Sequence, residues 1–378
     1  MANLLYILIL FLLTTVQKVQ SRTAPLDFKA LKDIRDAIKN IRPGSCVASW
    51  NFSRNAPDPC TVPRRTYFTC GVECDPTATR VIQLNLRSQS YSGSLSPSVT
   101  NLTRLQVLDL SDNSFSGSIP SLSLLSNLQS LSLGSNSFSG SFPSSITKLS
   151  SLQELDISRN KLSGSLPDDL TSLSSLTLLD LSDNKLRGSL PRLPHSLRQL
   201  ALRANSLNGD LSKSSLRNLT RLETVDLAAN SFSKTLPSWF FLLASLEQVN
   251  LTQNGLEGVQ IGNQTGRFSK LVAIDLAFNK IKGNISPNFS TFPQLASLSL
   301  RQNLLDGPIP TQLGEMKKLQ RLYLDGNFLT GIPPVKLFSK LTTGSFGDNC
   351  LQKCPRTSFL CSAPQKPASK CLKQHAEW

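Results

Sequence analysis

A nine-residue pattern, L-x-x-L-x-L-x-x-N with aliphatic substitutions, recurs ten times along this 378-residue chain, placing asparagines at Asn113, Asn136, Asn160, Asn184, Asn205, Asn230, Asn254, Asn279, Asn303 and Asn327. The successive gaps are 23, 24, 24, 21, 25, 24, 25, 24 and 24 residues, and a degenerate copy built on Val81, Leu84, Leu86 and Gln89 stands another 24 upstream. Three aliphatic residues precede every asparagine, from Leu105, Leu108 and Leu110 to Leu319, Leu322 and Leu324. Each unit therefore carries the same apolar wedge, which no unit of this size can bury alone. Stacked units bury it against one another, and the chain must grow in one dimension.

The asparagine has its own physical reason. Among buried positions an unpaired amide is costly, but Asn both donates and accepts and can satisfy the curved backbone of its own coil and the adjacent one; Asp could not donate. The period is that of leucine-rich repeats. After the asparagine comes a second signature, read as Phe115-Ser-Gly117-Ser-Ile119-Pro120, Phe138-Ser-Gly140-Ser-Phe142-Pro143, Leu162-Ser-Gly164-Ser-Leu166-Pro167 and Leu305-Asp-Gly307-Pro-Ile309-Pro310. Here the chain resembles plant extracellular leucine-rich-repeat proteins, the class of receptor-like protein ectodomains and polygalacturonase inhibitors. The resemblance covers roughly residues 27 to 361. It implies a right-handed curved leucine-rich-repeat solenoid, mainly β with short helical turns, of about 11 repeats. In that family the L-x-G-x-I-P segment forms a lateral strand, with glycine supplying special backbone geometry and proline ending the pairing. Lys234 stands where glycine is expected and the copies after Asn230 and Asn254 are irregular, so a regular lateral sheet is not assured around residues 232 to 262.

Four segments follow: a signal peptide over 1–21, an N-terminal cap over 22–80, the solenoid over 81–335, and a cysteine-containing cap with a basic tail over 336–378. Eleven coils at ~4.8 Å spacing predict a concave sheet about 48 Å long. Asp27 can cap a helix that carries Phe28, Leu31, Ile34, Ile38 and Ile41 on one face and ends at Pro43-Gly44, a lid over the first coil. Residues 4–16 form an apolar run too short to span a bilayer comfortably, and small residues at Val19 and Ser21 suit cleavage before Arg22. With no other span or lipid-anchor signal in view, export to the apoplast or cell wall is expected.

Cysteine usage agrees with export. Cys46, Cys60, Cys70 and Cys74 precede the repeats and Cys350, Cys354, Cys361 and Cys371 follow them, which predicts two disulfides per cap with three connectivities open in each. Cys350 and Cys354 lack histidine partners, so no metal is called for. The run Cys70-Gly71-Val72-Glu73-Cys74, with Ser49-Trp50 upstream, resembles the N-terminal cap of plant receptor ectodomains. Glycosylation sequons begin at Asn51, Asn101, Asn218, Asn250, Asn263, Asn284 and Asn288. Asn250 alone falls at an outward position of the concave sheet; the others map to caps, loops or the back of the coils.

A rigid, regular array of outward side chains makes the concave sheet the expected ligand surface. The expected outward positions lie seven, six, four, two and one residues before each asparagine and hold six arginines against eleven acids. That face is acidic while the chain carries a net charge of +15, so the basic residues must lie on the flanks. Exposed aromatics beside arginine are the composition of binding hot spots. Phe278 and Tyr323, with Arg301 and Arg321 and the flanking Asp275 and Asp325, are therefore the candidate ligand site. Arg187, Arg192, Lys213 and Arg217 are candidate contacts to a polyanion such as pectin; nucleic acid is not expected.

Enzyme chemistry finds no support. The two histidines, His195 and His375, fall in a loop and the tail, no nucleophile motif is present, and no cofactor is implied. The expected function is recognition of a peptide or protein, such as a membrane receptor kinase, through the concave face in cell-surface signalling or defence. The alternatives are an inhibitor of secreted wall-degrading hydrolases such as polygalacturonase, or a pectin-associated wall protein.

Overall fold

The computed structural model describes residues 22–53, 56, 58–60, 70–211, 213–216, 218–263 and 268–374. The expected signal peptide, Arg217, the Lys213 side chain and His375 lie outside the described residues. A thirteen-stranded sheet runs the length of the molecule. Val72–Cys74 pairs antiparallel with Val81–Asn85, and from there one short strand per coil is added in parallel, from Val107–Asp109 to Thr343–Ser345. Neighbouring coils pair in register, as in Leu178↔Gln199 and Thr224↔Gln248. The aliphatic wedges form one continuous core; Leu105 and Leu108 are fully buried, as are Leu319, Leu322 and Leu324 at the far end.

The asparagine ladder works as its chemistry demands. Asn184 Nδ2 donates to the Leu181 carbonyl of its own coil at 3.1 Å and to the Ile157 carbonyl of the previous coil at 2.9 Å. Its Oδ1 accepts the Leu162 N–H at 2.9 Å. An eleventh rung, unpredicted, is Asn349, fully buried and accepting the Leu329 N–H at 3.0 Å. Its coil has Gly344 where the others have an aliphatic residue, because a side chain there would strike the Leu322 carbonyl and Leu360.

Two expectations are corrected. The N-terminal helix spans Pro25–Ala37, with Ala24 at its N-cap and no side-chain cap bond. Asp27 sits inside the first turn, fully buried, where it accepts the Val81 N–H at 2.8 Å and pairs with Arg80 at 3.1 Å. The helix also stops before Pro43-Gly44: Ile38 is extended and bridges Gly93. The lateral sheet of eight strands continues through Ser231–Leu236 to Gly255–Val259, with its irregularity inside the range where the sequence departs from the motif. Lys234 takes a φ of 64° there, the left-handed geometry for which the motif elsewhere uses glycine, and the register shifts after it. The ladder ends only beyond Val259; Lys282–Asn284 and Leu304–Asp306 pair as a separate two-stranded sheet.

Each cap is cross-linked internally. Cys46 bonds Cys70 and Cys60 bonds Cys74; Cys350 bonds Cys371 and Cys354 bonds Cys361. The Trp50 indole N–H donates to the Cys70 carbonyl at 3.0 Å, tying the N-terminal cap together.

Candidate functional site

The outward face of the long sheet is less uniform than the repeat implies. The position two before the asparagine is commonly covered: Ser111 is 7% exposed, Ser182 8% and Asp325 8%. The residue directly before the asparagine adopts left-handed geometry in coil after coil, including Asp112, Arg159 and Phe278 at φ 55°, 51° and 56°. That turn brings the chain off the strand and aims the following amide into the core.

The aspartates four before the asparagine also have work within the fold. Asp109, Asp156, Asp180, Asp226 and Asp275 each accept, through Oδ1, the N–H two residues on, with distances from 2.8 to 3.1 Å. Such Asx turns hold the strand exit. Asp275 is thus engaged with Ala277 and only partly available to a ligand.

At the C-terminal end the candidate residues meet unevenly. Phe278 is 46% exposed, and the Arg301 guanidinium carbon lies 5.5 Å from its ring centroid. Arg301 Nη2 then reaches Asp325 Oδ2 on the next coil at 3.1 Å. Asp325, expected to face solvent as a ligand contact, is instead covered by this arginine; its place two before Asn327 turns it into the strand exit. Tyr323 hydrogen-bonds Thr343 through its hydroxyl at 3.3 Å, while Arg321 is exposed and has no acidic partner among the described residues.

A second feature escaped the sequence reading. An open depression of about 380 Å³ crosses five strands, from Leu178–Asp180 to Ala273–Asp275 on the coil of Phe278, and is lined by Asp180, Gln199, Thr224, Asp226, Gln248 and Asn250 among others. Two of its outward residues, Ala201 and Ala273, carry only a methyl group. Burial, and then the charges of Asp156 and Asp183, hold the Asp180 carboxyl above its ordinary range, with the Ser182 N–H and hydroxyl opposing in part. Asp226 is raised mainly by burial, against the Ala228 N–H and Arg203.

On the flanks, Arg192 is paired with Asp169 at 2.6 Å, whereas Arg187 is exposed on the lateral strand Lys185–Gly188. Of the sequons, Asn284 lies on the lateral strand Lys282–Asn284, and Asn288 donates to the Ile261 carbonyl at 2.8 Å and to Asn263 Oδ1 at 3.1 Å. Asn51, Asn218 and Asn263 are exposed, Asn101 ends a short 3-10 helix, and Asn250 lines the depression.

The model of the leucine-rich repeat region matches residues 80–339. The chain belongs to the leucine-rich-repeat family. It is 35% identical over 94 residues to the LRR receptor-like serine/threonine-protein kinase EFR of Arabidopsis thaliana, a stretch that is 25% of this chain and 8% of the kinase. Among solved leucine-rich-repeat structures, PEPR1-AtPEP1 matches with TM-score 0.76 and 30% identity over 86% of this chain and 45% of that one. The plant peptide hormone receptor RGFR1 in complex with RGF2 matches with TM-score 0.66 and 32% identity, over 75% and 45% of the two chains. This leucine-rich-repeat chain therefore spans less than half the length of these relatives. No helix among the described residues is long and apolar enough to cross a membrane.

Proposed function

We propose that this chain is an extracellular, non-catalytic recognition protein that binds a peptide along its parallel sheet, with the Phe278, Arg301, Arg321 and Tyr323 end as the contact surface. The observation that carries this reading is the fixing of Arg301 between the Phe278 ring and Asp325. A guanidinium held in place before the ligand arrives loses less conformational freedom on binding. The similar plant peptide hormone receptor RGFR1, solved in complex with RGF2, supports the choice of ligand, and the four disulfides, which suit an oxidising compartment, support the extracellular part of the reading.

A test needs no knowledge of the native ligand. Random linear peptides displayed on phage are panned against the immobilised full chain, and enriched sequences are synthesised and titrated by calorimetry. Phe278→Ala and Tyr323→Ala should each weaken binding by about 1 to 3 kcal/mol, while Thr177→Ala on an N-terminal coil should leave it unchanged. Failure to enrich any peptide, or undiminished affinity in the double variant, defeats the reading.

One observation supports pectin contact as a second reading. Lys161, Lys185 and Arg187 are exposed on neighbouring lateral strands and have no acidic partner among the described residues.

A further inference from the structure

We propose that Asn250 carries an N-linked glycan which stands in the mid-sheet depression, closing it and leaving the Phe278–Tyr323 end as the accessible part of the sheet. The inference rests on the extracellular reading above, since the glycan is added during export. Asn250 occupies the position at which five coils carry Asp109, Asp156, Asp180, Asp226 and Asp275, and what the fold takes from that position is a single acceptor. Asn250 supplies it: Oδ1 accepts the Thr252 N–H at 3.2 Å and the Thr252 hydroxyl at 2.9 Å. Its Nδ2 is surplus. Among the described residues nothing accepts from it, and the side chain lines the depression. An aspartate would serve the turn equally; the asparagine adds only a nitrogen, with Thr252 completing the sequon.

Asn288 is the contrast. Its Nδ2 donates to both the Ile261 carbonyl and Asn263 Oδ1, so replacing one of its hydrogens by a sugar removes a bond that the fold uses. At Asn250 the same replacement costs no hydrogen bond. In the transfer, Nδ2 displaces the diphosphate from the anomeric carbon of a polyprenyl-diphosphate-linked oligosaccharide. One C–N bond replaces one C–O bond, and the amide proton leaves with the released diphosphate. The attached sugar then stands over strands ~4.8 Å apart, within reach of Gln199, Thr224, Gln248 and the Asp226 and Asp275 carboxylates that line the same depression.

The full chain secreted from plant or insect cells is treated with an N-glycosidase in ¹⁸O-water, which marks every occupied asparagine for mass spectrometry. Asn250 should be marked and Asn288 bare. Asn250 bare in the secreted chain, whether or not another sequon is marked, overturns the proposal alone; chain retained inside the cells rather than secreted overturns the extracellular reading and the proposal with it. Asn288 marked as fully as Asn250 removes the argument from amide availability. Carbodiimide labelling of Asp226 and Asp275 then tests closure. Labelling should rise severalfold in Thr252→Ala, which keeps Asn250 but loses the sequon, and in Asn250→Asp, which restores the residue that other coils use. Equal labelling in glycosylated protein and both variants shows that the glycan does not fill the depression.

Discussion

Arg301 and Asp325 are joined across adjacent coils, Nη2 to Oδ2 at 3.1 Å, and the aspartate is 8% exposed beneath the arginine. The pair makes Arg301 a structural residue as well as a surface one. Arg301→Ala strands a covered carboxylate and should cost about 1 to 3 kcal/mol of stability, read as a lower urea midpoint. Adding Asp325→Asn should recover part of that loss. If the single variant melts like the wild type, the carboxylate is solvated and the pair is ornamental. For the same reason Arg301→Ala alone is a poor probe of ligand contact, and Phe278 and Tyr323 are the cleaner ones.

Asn327 is fully buried, accepts the Leu305 N–H at 3.1 Å, and donates to the Leu300 and Leu324 carbonyls, both at 2.9 Å. Asn327→Leu leaves those groups without partners, and about 1 to 3 kcal/mol of stability should go with it. An unchanged thermal midpoint would contradict the ladder's role.

What the sequence disclosed, and what it hid, follows from which forces are periodic. The wedge leucines and ladder asparagines repeat because each coil meets an identical neighbour, so a period suffices to read them. The caps have no such neighbour. Asp27 looks like a helix cap in sequence because its true partners, Arg80 and the Val81 N–H, lie more than fifty residues away. The last coil was hidden by Gly344, which breaks the aliphatic pattern because the neighbouring backbone and Leu360 leave no room there. Lys234 disturbs the lateral sheet without ending it, since a residue in left-handed geometry costs only about 1–2 kcal/mol, less than the lateral pairing can absorb. At the candidate site, Phe278 and Arg301 were legible as outward residues. The covering of Asp325 and the depression around Thr224 were not, because both depend on side-chain lengths across several coils.

Asp226 offers a pH test. Its carboxyl is held above the ordinary 3.8 mainly by burial, so the ionised form is the disfavoured one in the folded state. The folded chain therefore binds this proton more tightly than the unfolded chain does. Relative stability from this group is greatest below 3.8 and is lost as pH rises through the raised value. Asp226→Asn keeps the Oδ1 acceptor for Ala228 and creates no sequon, because Ala228 stands where Ser or Thr would be needed. The variant should raise the melting temperature at neutral pH, and the gain should shrink on acidification. Scanning calorimetry across that range decides it, and a gain independent of pH would show that the charge is not what the substitution relieves.

The lateral face supplies the last test. Lys185 and Arg187 lie on one lateral strand, exposed, while nearby Arg192 is already paired with Asp169 at 2.6 Å. A polyanion gains little from an arginine that has a carboxylate partner and more from bases whose field is uncompensated. Retention on immobilised polygalacturonate should therefore fall in Lys185→Glu/Arg187→Glu, and its dependence on salt should flatten, since fewer charge contacts remain to be screened. Arg192→Ala should elute close to the wild type. Arg321→Glu, on the thirteen-stranded sheet, serves as the control for loss of positive charge in general. If it elutes as early as the lateral double variant, retention follows net charge and the lateral face is not the contact.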